Sequence, residues 1–386
     1  MKIAHLADLH LGYRAYHRVT ARGVNAREAD VSGAFRQAIE RVIALAPDLV
    51  LVAGDVFHTV RPSNTAIADA FRHFSLLAVS LPGVPIVVIA GNHDSPRSSD
   101  TGNILALFRE IPGVVIVAEE ASRVHLEAID AAVLCLPHNA LAEGSETLLE
   151  PDARVRHNVM MLHGTVGGSV AEQKLRYVSE YGGATVHDTQ IGPQRWDYVA
   201  LGHYHIATEL APNMWYAGGI ERTSTNIWME AGGPKGFLLY DTDAGRITFY
   251  PLQTREVVDL PRFSARGMTA AEVDGTIRAA VEEGPQGVAG KIVRQVITDL
   301  DRQRVRELDH RRIREWKAEA LHFHVDARPP EVRRVSASGA PLRRQTLDEQ
   351  VENYLLRDWE PNSPMIQRNR LVTLGKQYLQ RAGKDA

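Results

Sequence analysis

Five short segments carrying aspartate, histidine and asparagine punctuate the first 205 residues. They are Asp8-Leu9-His10, Gly54-Asp55, Gly91-Asn92-His93-Asp94, His163-Gly164 and Gly202-His203-Tyr204-His205. Each falls at or just past the C-terminal end of a predicted apolar strand. In α/β folds those strand ends are where loops converge to form sites. The pattern therefore predicts a chain folded so that these polar side chains gather in one place.

The order of elements predicts an α/β fold. Residues 3–7, 49–53 and 86–90 are apolar runs typical of strands, and residues 35–45 and 66–79 have helical patterns between them. Apolar strands alternating with helices are typical of a sheet covered on both faces. Ser32 and Ser63 are the predicted helix N-caps. Shorter strands follow residue 114, which predicts a layered α/β sandwich with two facing sheets.

The pattern changes again near residues 251–261, which predicts further parts of the chain. Residues 1–255 form the main domain and residues 256–328 a small α+β domain, with helices at 270–282 and 302–317. Residues 329–344, rich in Pro, Arg, Ser and Gly, are predicted to be a linker. Residues 345–386 are predicted to contain two amphipathic helices with no obvious core of their own.

Composition narrows the classes of protein only slightly. The 386 residues are 44% hydrophobic and 24% charged, as in an ordinary globular protein, and the single Cys135 cannot form an internal disulfide. The net charge of −3 argues against coating nucleic acid by bulk positive charge, but it allows a local basic groove. A polar start and a longest apolar run of residues 84–90 predict no signal peptide and no membrane span, and hence a cytoplasmic protein.

The side chains of the five segments make a metal-ligand set. Carboxylates, imidazoles and an amide oxygen without a thiolate suit Mn, Fe, Zn or Co better than Ca, with Mn the first choice and Mg also open. Two-metal hydrolases share one carboxylate between ions about 3.5–4 Å apart and use them to attack phosphate esters. Asp55, which follows a glycine at a strand end, is the predicted bridge.

These segments resemble the calcineurin-like metallophosphoesterase superfamily, and the spacing of all five makes the match specific. The resemblance implies one ion held by Asp8, His10, Asp55 and His205, and a second held by Asp55, Asn92, His163 and His203. It also implies that His93, next to Asp94, protonates the leaving oxygen as general acid. Nine histidines without such a context are predicted to lie outside the site: His17, His73, His125, His138, His157, His187, His310, His322 and His324.

A narrower resemblance begins with residues 3–13 and 53–63. These are similar to the nuclease subunits of prokaryotic DNA double-strand-break repair complexes, the SbcD exonucleases and their archaeal counterparts. The resemblance implies that His58 faces the DNA, with Arg61 in the Arg-Pro-Ser segment that follows. Residues 216–223 are also similar, which implies that Arg222 contacts substrate together with Asn92 and Arg61. Gly219 replaces a serine there, and neither the insert 224–234 nor residues 171–190 can be matched.

The resemblance implies a metal-dependent DNA nuclease, a 3′ to 5′ exonuclease with endonuclease capacity. It would act as a homodimer in double-strand-break repair with an SMC-like coiled-coil ATPase of the SbcC type, which would dock on the C-terminal helices. Those helices carry apolar Val351, Tyr354, Leu355, Met365, Ile366, Leu371 and Leu374, which cover either the partner or the protein's own body.

The small domain would cap the DNA. Its basic residues either touch phosphates or form a salt-bridged surface with interleaved acids. They are Lys291, Arg294, Arg302, Arg304, Arg306, Arg311, Arg312 and Arg314.

Two other functions stay open. A phosphodiesterase acting on small molecules or cyclic nucleotides would use the same catalytic residues, although such an enzyme has little use for residues 256–386. A module that tethers DNA without cleaving it is disfavoured, because all the metal ligands and the acid are present.

Overall fold

The computed structural model describes residues 1–96, 102–142, 149–168, 184–283, 287–330, 347–359 and 368–382. Contacts between residues divide the chain into two compact units, Met1–Arg328 and Pro329–Ala386. The strands of the described part are β1 (Lys2–Leu6), β2 (Leu49–Ala53), β3 (Ile86–Ile89), β4 (Val114–Val117), β5 (Ser122–Leu126), β6 (Ala131–Leu136), β7 (His157–His163), β8 (Thr165–Gly167), β9 (Thr185–His187), β10 (Tyr198–Gly202), β11 (Thr208–Ala211), β12 (Met214–Tyr216), β13 (Gly236–Asp241), β14 (Arg246–Pro251), β15 (Val257–Ser264), β16 (Ile292–Thr298) and β17 (His322–Ala327). The α-helices are α1 (Ala26–Leu45), α2 (Asn64–Ser80), α3 (His138–Ala142), α4 (Asp188–Ile191), α5 (Ala270–Glu283), α6 (Arg302–Glu307), α7 (His310–Glu319), α8 (Leu347–Asn353) and α9 (Arg368–Ala382).

Two six-stranded sheets form the centre of the first unit. One has the order β14-β13-β1-β2-β3-β4 and the other β11-β12-β10-β7-β6-β5. Strands β1 to β4 are parallel, as are β12, β10, β7 and β6, so the carboxyl ends within each set share one edge. Because loops meet where parallel strands end, this topology prepares one edge of the molecule for a site.

Apolar side chains between the sheets account for the layering. Leu51 and Val87 of the first sheet pack in one buried cluster with Met161 and Ala200 of the second. The outer face of the first sheet is covered by α1 and α2 in a separate cluster, and Ile191 of α4 lies in the cluster on the outer face of the second. Strands buried on both faces must be apolar throughout, as β2 and β3 are. The predicted layered α/β sandwich is confirmed.

The two predicted N-caps have different outcomes. Ser63 caps α2, accepting a hydrogen bond from the amide of Ala66 at 3.2 Å. The cap predicted at Ser32 is wrong, because α1 begins at Ala26 and Asn25 caps it. The first turn of α1 is charged and lacks the apolar stripe from which a helix is predicted. It is buried because Arg27 forms ion pairs with Asp30 at 2.8 Å and with Glu221 at 3.3 Å.

Residues 257–327, here called the small subdomain, form a parallel sheet in the order β15-β16-β17 with α5, α6 and α7. Its core includes Ile277, Trp316 and Phe323. The single helix predicted at 302–317 is wrong. Leu308 is extended and buried, and Asp309 caps a new helix by accepting from the amide of Arg312 at 3.0 Å. Since contacts place this segment in the same unit as the sandwich, the boundary at residue 256 stays a prediction.

The second unit contains α8, a π-helical turn at Tyr354–Asp358, and α9. Its helices pack on each other, with Lys376 paired to Glu352 at 2.6 Å and Val372 buried. Met365 and Ile366 lie outside the described residues, as does most of the predicted linker. Within the described ranges no helix combines the length and the apolar character that crossing a bilayer requires.

Candidate metal centre

The five motif segments meet at one end of the sandwich. Strands β1, β2 and β3 lead into the loops that carry Asp8, His10, Asp55 and Asn92, whereas β7 and β10 of the other sheet lead to His163, His203 and His205. Six of these side chains belong to buried residues, and Asn92 is half-buried. The structure thus brings together all seven residues that the sequence predicted as ligands.

The first group of ligand atoms surrounds His10. Its Nε2 lies 3.0 Å from Nε2 of His205 and 3.7 Å from Oδ2 of Asp55. Asp8, His10 and His205 each offer a ligand atom within 4.8 Å of the others. Two imidazole nitrogens in such an arrangement need either a shared proton or a shared cation.

The second group surrounds His163. Its Nε2 lies 3.0 Å from Oδ1 of Asn92 and 3.4 Å from Oδ2 of Asp55, and Nδ1 of His203 lies 3.2 Å from the same Asn92 oxygen. Oδ2 of Asp55 is therefore close to both groups, as expected of a carboxylate that bridges two positions.

These distances fit the ligand shell of a divalent transition metal. Nitrogen and oxygen ligands at about 2.0–2.2 Å from one ion stand about 3.0–3.4 Å from one another. Most of the separations within the two groups lie in or near that range. The donor set of imidazoles, carboxylates and an amide oxygen also suits such ions. The residues present fit divalent-metal binding.

Strained backbone marks the same residues. Asp8, His10, Asp55 and His203 have positive φ values of 51°, 47°, 52° and 110°. Side chains with a Cβ rarely adopt this region, and each such residue costs on the order of 1–3 kcal/mol. Half of the eight non-glycine residues with positive φ in the described part of the chain are thus predicted ligands, a clustering typical of a functional site.

Two glycines of the motifs allow the loops to approach closely. A Cβ at Gly54, whose φ is 88°, would lie 2.3 Å from Nδ1 of His163. A Cβ at Gly91 would lie 2.1 Å from Oδ1 of Asp55. The glycines before Asp55 and Asn92 are therefore required by the packing of the ligands themselves.

The charged groups of the centre shift one another's pKa values. Burial raises the pKa of Asp8 to about 6. Burial also opposes ionisation of Asp55, but the neighbouring His163 outweighs it and holds the pKa of Asp55 well below its usual value. Burial lowers the pKa of His163, yet the Asp55 and Asp8 carboxylates outweigh it and raise this pKa to about 9. Buried charges of this kind are normally paired or bound to metal.

Backbone groups fix the orientation of the ligands. Nδ1 of His163 donates to the carbonyl of Ala53 at 2.7 Å, which leaves Nε2 as its ligand nitrogen. The amide of His203 donates to Oδ1 of Asp8 at 3.0 Å. The amide of His93 donates to Oδ1 of Asp55 at 2.8 Å.

Three histidines form one side of the centre. The ring of His93 lies 4.8 Å from that of His10 and 5.1 Å from that of His58, measured between centroids. Nδ1 of His93 donates to the carbonyl of His58 at 2.7 Å, so a proton exchanged with substrate would pass through Nε2. The two residues predicted as general acid and substrate-facing histidine are thus brought beside the ligand His10.

Asp94 is buried, and its carboxylate bonds to the backbone of the loops that form the site. Its carboxylate accepts from the amides of Val56 at 3.0 Å, Phe57 at 2.8 Å and Gly91 at 3.1 Å. Burial and the charge of Asp55 raise its pKa to about 7. The contacts favour a role in positioning the loops that follow β2 and β3.

The two predicted substrate-binding arginines lie in different surroundings. Arg61 is exposed on the loop before α2. Arg222 is buried, and its guanidinium donates to the carbonyls of Glu230 at 3.0 Å and Gly233 at 2.6 Å and to Oγ1 of Thr254 at 2.8 Å. Arg222 therefore holds the 224–234 segment, a placement that argues against substrate contact.

Three residues outside the five motif segments also lie at the centre. Glu230 and Lys235 are buried beside His205, although the sequence shows them only as an acid and a base five positions apart. His138 begins α3, and burial together with the charge of His163 lowers its pKa. Its Nδ1 has no hydrogen-bond partner among the described residues. The Pro137-His138 pair at the end of β6 was the available signal, since β6 is parallel to β7.

Comparison with known proteins follows the same residues. Residues 1–207 match the family model described as calcineurin-like phosphoesterase. The chain is 26% identical over 211 residues to a protein of Methanococcus maripaludis named DNA double-strand break repair protein Mre11, covering 53% of this chain and 52% of that one. The chain thus spans about half the length of this relative.

Two further relatives match over longer stretches. A protein of the same name from Methanocaldococcus jannaschii is 25% identical over 277 residues, or 67% of this chain and 69% of that one. A Staphylococcus epidermidis protein, named as a subunit of the nuclease SbcCD, is 26% identical over 276 residues, or 66% of this chain and 70% of that one.

Proposed function

The chain belongs to the calcineurin-like phosphoesterase family, and we propose that it is a metal-dependent DNA nuclease of double-strand-break repair. It would act as a 3′ to 5′ exonuclease with endonuclease activity. The observation that carries this proposal is the gathering of the seven predicted ligand side chains beside the histidine pair His58 and His93. The names of the relatives in archaea and in Staphylococcus epidermidis support it.

The centre would hold two divalent ions, with Mn²⁺ the first choice. Asp8, His10, Asp55 and His205 would hold one, and Asp55, Asn92, His163 and His203 the other. When bound, such ions supply a hydroxide nucleophile and polarise the phosphate oxygens. The residues of the chain prepare this by presenting strained, buried ligands whose orientation the backbone has already fixed.

Other side chains would handle the substrate. His93, oriented through Nδ1 by the carbonyl of His58, would donate a proton from Nε2 to the departing sugar oxygen. His58 would position the DNA strand that is cut, and the side-chain amide of Asn92 would contact the phosphate. Arg61, exposed before α2, would bind a phosphate further along the strand.

The proposal extends to partners and place. The chain would act in the cytoplasm as a homodimer with an SMC-like coiled-coil ATPase, which would bind the second unit. Leu374 and Tyr378 of α9 are exposed apolar side chains that suit a helical partner. Leu374→Glu should abolish co-purification with such an ATPase, whereas Asn369→Glu, at an exposed polar position of α9, should not.

Cleavage assays test the activity. Duplex DNA labelled at either the 3′ or the 5′ end should be shortened from its 3′ end in Mn²⁺, and chelator should stop the reaction. Bis-p-nitrophenyl phosphate and a cyclic nucleotide serve as competing substrates. If these small substrates are hydrolysed and the DNA is not cleaved, the chain is a small-molecule phosphodiesterase. If DNA is bound and nothing is cleaved, the chain is a tethering module.

A further inference from the structure

The segment 224–234, which follows Arg222 and leads to β13, returns to the metal centre. Glu230, at the end of a short 3₁₀ helix (Ile227–Glu230), is only 1% exposed. Its Oε1 lies 3.7 Å from Nδ1 of His205, just beyond hydrogen-bond length, and that buried nitrogen has no hydrogen-bond partner among the described residues. The other ring nitrogen of His205, Nε2, is the one that faces His10 in the ligand cluster. Glu230 therefore stands on the side of His205 opposite to the ligands.

Lys235 and Ser224 hold this carboxylate in place. The ammonium of Lys235 forms an ion pair with Oε2 of Glu230 and donates to the carbonyl of His205 at 2.5 Å. The amide of Ser224 donates to Oε1 at 3.2 Å, and its hydroxyl donates to the same oxygen. Of the Glu230–Lys235 ion pair, Glu230 thus lies beside the ring of His205 and Lys235 bonds to its backbone carbonyl.

Stability alone gives a weak reason for such a pair. A buried ion pair loses about as much in desolvation as it gains in attraction, and apolar residues often replace it without loss. A carboxylate beside a ligand histidine has a use that an apolar side chain lacks. Its charge favours a ring proton on the nitrogen that faces it, here Nδ1 of His205, and so leaves Nε2 to face the ion.

The segment that carries Glu230 is itself anchored on both sides. Arg222 donates to the carbonyls of Glu230 and Gly233, and Ile227 packs in one buried cluster with Val257 of β15 and Ile292 of β16. The ring of Trp228 lies under the guanidinium of Arg294, 4.6 Å from its centroid. Glu230 is consequently placed by the small subdomain as well as by the sandwich.

We propose that Glu230, held by Lys235, is a positioning residue that orients His205 for metal binding. The proposal rests on the metal centre of the proposed function, but it does not require that the substrate be DNA. It assigns a purpose to a segment near the site that the sequence could not match to the family.

Titration of the ion-free, full-length chain with Mn²⁺, followed by calorimetry and by the electron paramagnetic resonance of the bound ion, tests the proposal. Glu230→Gln keeps the shape of the side chain and removes its charge. We expect it to weaken one of the two Mn²⁺ sites by about tenfold to a hundredfold and leave the other unchanged. In a His205→Asn background the same substitution should add no further weakening.

Glu221→Gln is the matched control. Glu221 is equally buried and accepts from the amide of Arg222 at 2.7 Å, but it contacts Arg27, Arg222 and Arg255 rather than a ligand. It should leave both Mn²⁺ affinities unchanged even where it lowers the melting temperature. Weakening equal to that of Glu230→Gln would reduce Glu230 to a structural role and overturn the proposal.

Folding is checked by circular dichroism. If Glu230→Gln does not fold, Glu230→Asp replaces it, because a shorter carboxylate retreats from His205 and should also weaken one site. A folded variant that binds both ions like the wild type overturns the proposal. A wild type that binds two ions without cutting DNA would overturn the nuclease alone, and one that binds no ion would overturn both.

Discussion

The metal centre and the small subdomain both carry dense charge, but they hold it in opposite ways. In the centre, like groups face each other, as with the imidazole nitrogens of His10 and His205 at 3.0 Å. In the subdomain, opposite charges are matched, and Arg294 donates to both oxygens of Asp259 at 2.9 and 2.6 Å. Facing imidazole nitrogens need a shared proton or a shared cation, whereas a paired surface is complete without a ligand.

This contrast bears on the basic residues that the sequence offered as phosphate contacts. The structure pairs several of them with acids in the subdomain or directly before it, which favours the salt-bridged alternative at those positions. The pairs are Lys291–Glu256, Arg294–Asp259, Arg304–Asp301, Arg311–Glu315 and Arg312–Glu315. Whether a basic residue of the subdomain can bind a phosphate therefore depends on whether an acid already pairs with it, and not on how many basic residues lie nearby.

The strongest test of the contrast removes the shared ligand. Asp55→Asn should abolish both Mn²⁺ binding and DNA cleavage, because an amide carries no charge to offset two cations between the ligand groups. Calorimetric titration and the end-label assay measure the two losses. Asp48→Asn, an exposed carboxylate near β2, is the control and should behave like the wild type. Normal ion uptake by Asp55→Asn would show that Asp55 does not bridge the two ions.

Removal of the proposed acid separates chemistry from binding within the centre. His93→Asn should keep both ions and lower the cleavage rate by about two orders of magnitude or more, because the departing oxygen then leaves without a proton donor. Single-turnover cleavage and Mn²⁺ titration of the same preparation give both values. Loss of an ion in this variant would place His93 among the ligands instead.

A histidine outside the centre shows how burial acts without a carboxylate partner. Burial lowers the pKa of His5 to about 3, and Nδ1 of the ring lies 2.8 Å from the hydroxyl of Tyr198. Below the unfolded value of about 6.5, the unfolded chain takes up a proton that the folded chain refuses, so stability falls as pH falls. His5→Asn should remove this loss, about 2 kcal/mol between pH 7 and pH 5.

Urea unfolding of the ion-free chain at the two pH values measures that difference. Above pH 7 the titration contributes nothing, so any change there reports only the lost contact with Tyr198. An equal acid loss in the wild type and in His5→Asn would show that His5 is protonated in the folded state.

The smallest effect is expected where a charge is already paired. Arg312→Gln should change duplex affinity by less than about threefold, since its guanidinium donates to Glu315 at 2.8 Å. Arg61→Gln should weaken binding and reduce the slope of log affinity against log salt by about one. Fluorescence anisotropy at several salt concentrations measures the duplex affinity of both variants. If only Arg312→Gln lowered the salt dependence of that affinity, the paired arginine and not the exposed one would contact the DNA.

Elements whose signal is local were predictable from the sequence. Strands such as β2 and β4 have the predicted bounds because an apolar run buried on both faces needs no other information. The start of α1 was missed because Arg27 is buried only through partners as distant as Glu221. The break at Leu308 was missed because a buried leucine fits a helix and a loop equally well.

The residues of the site also differ in whether their signal is local in the sequence. The gathering of the seven candidate ligands was predictable because each follows a strand and the order of the motifs is fixed. Glu230 and Lys235 were not, because their burial depends on mutual pairing beside His205. The contacts of Arg222 with the carbonyls of the 224–234 segment exist only once that segment has folded, so the sequence suggested a substrate residue instead.

Within the 224–234 segment, Glu230 lies beside His205 and Ile227 packs on the sheet of the small subdomain. A ligand that shifted that sheet on binding would move Glu230 relative to His205 and so change the affinity of the centre for its proposed cations. Thermodynamic reciprocity would then require that binding of the cations change the affinity for that ligand by the same factor. Nucleic acid and metal would each report on the occupancy of the other, without any direct contact between them.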